Sequence, residues 1–565
     1  MRHTLVLAVA AFVTPLVFAQ QPPAAPAARP LITFQTPPVE KLLNDLRAAA
    51  DSVGGEKAVK AFNEALKDKF GEKGLEGLDL SKPIFGYIQF GEKFSDSTVV
   101  VAIPTTAEKE FLAFCGRLFD GEQPKDVGKG LYELPGPSPE AKVRLKFADK
   151  YAYVAIGLNP EAVLDAKALV ASPQVIDPAE TAFLVGKLHF DRLTPELKKA
   201  LPTYFAELKK QLEADDFIPF PPLAAVIRAP MADIEKLFTR YLLLLTGADT
   251  AVLRVTLDQP TGEVLVDVAL NPKKGTALAQ EIAARKPTGN KFAGVITPET
   301  TVGFKTRLPF FNDELKSAAS KVLEELQKLA AQGGPDVPKD FLDELIRGLT
   351  RTIKAGDVDL AGAIRGPDKN GDFTLVAAAA FDDPSGVEKE FKKMFEAQAT
   401  PDEKERMKWA ADKAGNVAIH TYKLPDNEFS DFGKPFGGAK ALAAFAFAPK
   451  GVFVVVGPDP VPILKGLLTL KSQEAPVVDV LINPARLAKF VEKTGGNRVE
   501  VENALGKDDK LLSAAKLVIT GGEQLKVQFA LNLRVLPRAL FLSELAPGNP
   551  GVVPFPPPPP PVEKR

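Results

Sequence analysis

The sequence predicts an α+β fold written twice: a tandem duplication of a module in which an antiparallel meander sheet is covered by helices on one face. Three observations predict it. Landmarks recur in one order in the two halves, strand-like segments alternate apolar and polar residues, and amphipathic segments of helical period lie between them.

The elements follow from the N-terminus. Met1-Arg2-His3 is a short positive start, Leu5 to Phe18 is an apolar run interrupted by Pro15, and Val17-Phe18-Ala19 suits a signal peptidase. Residues 1–19 are therefore expected to be a signal peptide, with cleavage after Ala19 and export to the periplasm or the cell exterior. The run is shorter than the roughly 20 residues that span a bilayer, and no transmembrane segment is expected after cleavage. Residues 20–30 (QQPPAAPAARP) read as a Pro/Ala linker.

The first module is expected over 31–290 and the second over 291–547. A helix over Val39 to Ala50 has its counterpart in Asn312 to Ala331. The strand Ile84 to Ile88 matches Leu360 to Ile364, and Thr98 to Ile103 matches Thr374 to Ala379. Each second strand leads to a helix opening on one word, Glu108-Lys109-Glu110-Phe111 and Glu388-Lys389-Glu390-Phe391. Tyr132 to Pro135 pairs with Tyr422 to Pro425, and Val154 to Gly157 with Val454 to Gly457. Asn159-Pro160 and Asp459-Pro460 then start helices, with the polar side chain as cap and Pro in the first turn.

Closing hairpins end both modules, Leu253 to Leu270 and Leu517 to Leu533. Leu253, Val255 and Leu257 alternate with polar residues, as do Val264, Val266, Val268 and Leu270 beyond the turn. Period two of this kind marks strands with one covered face and one wetter face. The EKEF helices carry the other period, with Phe111, Phe114, Cys115, Leu118 and Phe119 on one stripe. About seven strands per module are expected. Residues 548–565, including Pro556 to Pro561, form a polyproline tail.

The copies differ at Leu212 to Gly247, which the first half alone contains. It holds a loop over Asp215 to Pro222 and then a broad apolar helical stripe through Ile234, Phe238, Tyr241 and Leu245. Phe217, Ile218 and Phe220 are the candidate hydrophobic contact residues.

Composition excludes several function classes. With 71 basic and 72 acidic residues interspersed along the chain, no basic face for nucleic acid is expected. Cys115 is the sole cysteine, so stability rests on packing, and its place on an apolar stripe argues against a nucleophile. His189 and His420 stand apart from other ligand-type residues and are expected on a surface or an edge strand. No G-x-S-x-G or G-x-G-x-x-G motif occurs. Gly433 to Lys440 imitates a phosphate loop but places Ala439 where the lysine belongs, so a flexible surface loop is expected. Asp368 to Asp372 is expected to be a hairpin turn around Asn370-Gly371 and not a calcium loop. Glu500/Glu502 and Asp508/Asp509 are expected to be solvated acids. One Trp and seven Tyr against 37 Phe disfavour a sugar site.

In style the whole chain resembles the large exported proteins of unknown function of planctomycete-type bacteria: a signal, a Pro/Ala linker, then a duplicated Lys/Ala/Phe-rich body. The resemblance implies no activity and no site residue. The expected function is a non-catalytic exported binding or structural protein without catalytic, metal or cofactor residues. Its partner would be an envelope protein or a hydrophobic ligand. Carriage of a hydrophobic ligand or lipid and a carboxylate-based hydrolase are the alternatives.

Overall fold

The computed structural model describes most of residues 29–533. Outside the described residues lie 1–28, 90–96, 137–141, 196–243, 310–315, 325–338, 426–432, 496–514, 534–565 and a few isolated positions. The signal, the proline-rich tail, the loop with Phe217, Ile218 and Phe220, the Glu500/Glu502 and Asp508/Asp509 pairs and much of the helix expected over 312–331 therefore fall outside them.

The first half runs β1 (Ile32–Pro38), α1 (Val39–Gly54), α2 (Glu56–Phe70), β2 (Pro83–Gln89), β3 (Thr98–Pro104), α3 (Glu108–Leu118), β4 (Lys125–Gly128), β5 (Leu131–Leu134), β6 (Lys142–Ala148), β7 (Tyr151–Gly157), α4 (Pro160–Val163), β8 (Leu184–His189), β9 (Ala248–Asp258), β10 (Glu263–Pro272) and α5 (Ala277–Ala284). The second runs β11 (Thr288–Asn290), β12 (Thr300–Pro309), α6 (Lys339–Ala355), β13 (Asp357–Arg365), β14 (Thr374–Ala379), α7 (Pro384–Gln398), α8 (Pro401–Arg406), β15 (Met407–Ala414), β16 (Val417–Lys423), β17 (Leu442–Ala448), β18 (Gly451–Gly457), α9 (Pro460–Leu468), β19 (Gln473–Ala475), β20 (Val478–Ile482), α10 (Pro484–Lys493), β21 (Ala515–Thr520) and β22 (Leu525–Asn532). Helices and antiparallel strands in one large sheet make this an α+β fold.

All strands but β11 and β19, which pair with each other, join a 20-stranded sheet. Pairing in the first half runs β4-β5-β6-β7-β3-β2-β1-β8-β9-β10. The second half runs β15-β16-β17-β18-β14-β13-β12-β20-β21-β22. The two runs meet where β10 pairs β22 along Glu263↔Asn532 to Leu270↔Leu525.

Three expectations need correction. Among the described residues each half contributes ten strands to the large sheet, not about seven, because short strands such as β4 carry too little period two to be read. The sheet is not a meander: β3 pairs with β7 and β1 sits between β2 and β8. Period two assigns a face to each strand but names no partner. Here α3 lifts the chain off the sheet after β3, and β7 takes the vacated edge. Helices also cover both faces. Phe111, Phe114 and Cys115 of α3 pack with Val143, Leu145 and Ala152. Tyr151, Tyr153 and Ala155, of opposite parity on β7, pack with Phe85, Leu164 and Val170. In the second half α7 places Phe391 against Phe445 and Phe447, while α9 places Leu464 and Leu467 with Ala444, Ala446 and Val455. Strands such as β18, GVFVVVG, are apolar at both parities, and both faces demand cover.

Local rules account for most ends. Asp383 caps α7 by accepting from Gly386 N–H, and Thr400 and Glu403 form a capping box on α8. Pro160 and Pro460 open α4 and α9 as expected, but Asn159 and Asp459 make no side-chain cap. Asn370-Gly371 lies in the turn joining β13 to β14, where Asp368 Oδ1 accepts from Asn370 N–H (2.8 Å) and Asp372 N–H (2.9 Å).

Candidate functional site: the apolar face at the junction of the halves

The β9–β10 hairpin turns at Gly262, whose φ of +70° suits glycine, and its N–H donates to Asp258 O at 2.8 Å. Directly opposed residues of antiparallel strands share a face. The register therefore draws one line of partners across seven strands: Leu184, Val255, Val266, Phe529, Leu517, Val480 and Phe304. All are apolar. At about 4.8 Å per strand the line is roughly 29 Å long.

This line is incompletely covered. Leu278 and Ile282 of α5, with Phe190, pack against Leu188, Leu270 and Leu525 at one end of the junction strands. Further along the same face Val268 is 40% exposed, Phe529 39% and Phe304 47%. At the hairpin tip Gln259 Nε2 donates to Asp45 Oδ1 (2.6 Å), and Lys41 pairs with Asp45 (2.7 Å), so the buried Asp45 ties α1 to the turn.

The opposite face is mainly polar, with a small apolar cluster at Val185 and Val252. Asp267 on β10 is buried, accepts from Gln528 Nε2 of β22 (3.0 Å) and pairs with Lys526 (3.4 Å). Lys305 pairs with the buried Asp479 at 3.2 Å. Each carboxylate ties strands through Oδ2, while its buried Oδ1 has no hydrogen-bond partner. One side of the junction sheet thus offers ionic ties and the other an aliphatic and aromatic surface able to shed water onto an apolar body.

The residues singled out from sequence fare differently. Phe217, Ile218 and Phe220 lie outside the described residues. Cys115 is buried, and desolvation pushes its thiol up to about 12. His189 is half-buried at the end of β8, and burial, then Arg192, lowers its pKa. His420 is no surface histidine: it is fully buried on β16, which has partners on both sides. The side chain is far enough inside the second half for α7 to reach it, a contact that strand periodicity does not contain. Its Nε2–H donates to Glu388 Oε1 (3.1 Å) and its Nδ1 accepts from Ala410 N–H (3.0 Å). Burial and then Lys392 lower its pKa.

The loop Gly433 to Lys440 is likewise not a flexible surface loop. It makes two short 3-10 turns, and Pro435 and Phe436 are buried, Phe436 against Phe490. Apolar Pro-Phe inside a glycine-rich stretch was the signal for that anchoring. Lys440 lines an open cleft of about 770 Å³ together with Asp402, Glu405, Arg406, Lys408 and Lys423, of mixed charge. Among the described residues no group of three or more His, Cys, Asp or Glu could hold a metal ion. Among them, too, no helix is long and apolar enough to cross a membrane.

Comparison with known proteins adds little. No protein-family model matches, and no curated protein matches. One solved structure, titled "Structure of crystal form III of TP0453", aligns with 46% of this chain and 86% of that chain at 9% identity and a TM-score of 0.20. Likeness at that level carries no argument.

Proposed function

We propose that the protein is an exported, non-catalytic binding protein whose ligand is an elongated apolar molecule of the acyl-chain class, laid along the junction face. The observation that carries this reading is the seven-residue apolar line from Leu184 to Phe304, with Phe529 and Phe304 on it and Val268 beside it left open. Solvent-exposed apolar surface continuous over several strands favours an interaction partner, and the absence of polar atoms along the line favours one without polar groups of its own there. On the same reading the halves, 31–290 and 291–547, are copies of one module. The recurrence of strand order supports that, as does the apposition of their last strands, β10 and β22.

The test is uptake of a fluorescent long-chain fatty acid by residues 20–565, with Val268→Lys and Phe529→Lys as variants. Saturable binding that both variants weaken by on the order of tenfold or more, with little change in melting temperature, supports the proposal. Absence of saturable binding overturns it. So does binding only by a chain ending at Leu533, since the face would then belong to the chain's own segment 535–546.

A further inference from the structure

We propose that His420 is a proton-operated latch on the outer edge of the sheet: a proton taken up at Nδ1 releases the bulge of β15 and loosens that edge strand. Among the described strands β15 is an end of the sheet, pairing with β16 alone. Its register jumps between Lys408↔Thr421 and Asp412↔Ile419, so Trp409, Ala410 and Ala411 face the single residue His420. Such bulges keep edge strands from pairing with other chains.

This bulge is held in a costly shape. Ala410 adopts φ +48°, a left-handed conformation that a residue with a Cβ adopts at a cost. Its N–H donates to His420 Nδ1 at 3.0 Å, which leaves the ring's own proton on Nε2, directed to Glu388 Oε1 at 3.1 Å. A proton added to Nδ1 would point at the Ala410 N–H, donor against donor. That hydrogen bond must then break, and the strained backbone loses its anchor.

The surroundings set when this occurs. From α7, Glu388 and Lys392 face the ring, and Lys392 also bonds Glu388. From β15 come Trp409 and the Ala410 N–H, and from β17 the rings of Phe445 and Phe447. Glu388 alone favours the protonated ring. Burial among aromatic rings and the Lys392 cation oppose it, so the latch stays shut at neutral pH and opens in acid. In the first half the register puts Tyr132 at the corresponding place, opposite Leu145 as His420 is opposite Phe445, so no histidine stands there.

Trp409 is the chain's only tryptophan and lies 5.2 Å from the His420 ring, so an imidazolium there quenches its emission. The experiment follows Trp409 emission and Ala410 amide exchange in residues 20–565 from about pH 7 to about pH 5. Expected is a reversible loss of emission and of Ala410 protection with one midpoint below 6.5, the ordinary histidine value. His420→Asn, which keeps an acceptor but takes up no proton, abolishes both changes. Persistence of the transition in folded His420→Asn overturns the latch. Should that variant not fold, nitrogen-labelled histidine spectra of the unaltered chain decide. An Ala410 amide that stays protected once His420 is protonated overturns the proposal, and loss of protection at that midpoint supports it.

Discussion

The ring of Phe304 fills the space in which a side chain of Gly362, its cross-strand partner, would begin. A Cβ built on Gly362 falls 2.7 Å from Phe304 Cε1. Phe34 stands over its own partner Gly86 in the same manner, with the Val100 carbonyl crowding the same point. The two pairs occupy corresponding places in β12–β13 and β1–β2.

Gly362→Ala is expected to lower stability by about 1–3 kcal/mol, because the added carbon must displace the ring. Gly86→Ala is expected to cost more, since backbone Val100 O cannot swing away as a ring can. Urea unfolding checks both. Unchanged midpoints would mean that the rings turn aside without loss.

Cys115 is expected to resist thiol reagents in the native protein. With its pKa pushed up to about 12 by burial, the thiolate fraction near pH 8 is on the order of a thousandfold below that of an ordinary thiol. Rapid labelling only on adding denaturant is the expected result. Fast native labelling would place Cys115 at the surface.

Asp267→Ala removes the acceptor for Gln528 and the partner of Lys526 at the β10–β22 seam. A loss of about 1–3 kcal/mol is expected. A double-mutant cycle with Gln528→Ala should show coupling of about 0.5 kcal/mol or more, and zero coupling would contradict a shared seam.

Acid is expected to destabilise the fold through both described histidines. His420 and His189 have folded pKa values held below 6.5, chiefly by burial. The unfolded chain therefore takes up protons first as pH falls through 6.5, and it gains relative to the folded state. That contribution is complete above 6.5 and is lost between 6.5 and each lowered folded value, at up to about 1.4 kcal/mol per pH unit for each group. Denaturation at stepped pH measures the slope. His420→Asn should flatten it, and an unchanged slope would remove His420 from the linkage.

Much of the local structure was legible in the residues. The turns between Leu257 and Val264 and at Asn370-Gly371 join the strands that their chemistry indicated. The stripe of Phe111, Phe114 and Cys115 faces the core. What was not legible concerns contacts between distant segments. Nothing near Tyr422 announces that Glu388 will meet His420, because α7 reaches it only after folding over β17. The apolar Pro435-Phe436 hinted at anchoring, but nothing local named Phe490 as the ring that packs on Phe436.

By itself the sequence determined the α+β class and which parity of each closing strand is apolar, because backbone period and turn chemistry are local properties. Only the tertiary structure decided that Val266 lies beside Phe529. It also decided that helices occupy both faces and that a buried histidine pins an edge bulge. Those outcomes depend on which strand edges remain open and which apolar surfaces compete for them, a choice made by the whole chain at once.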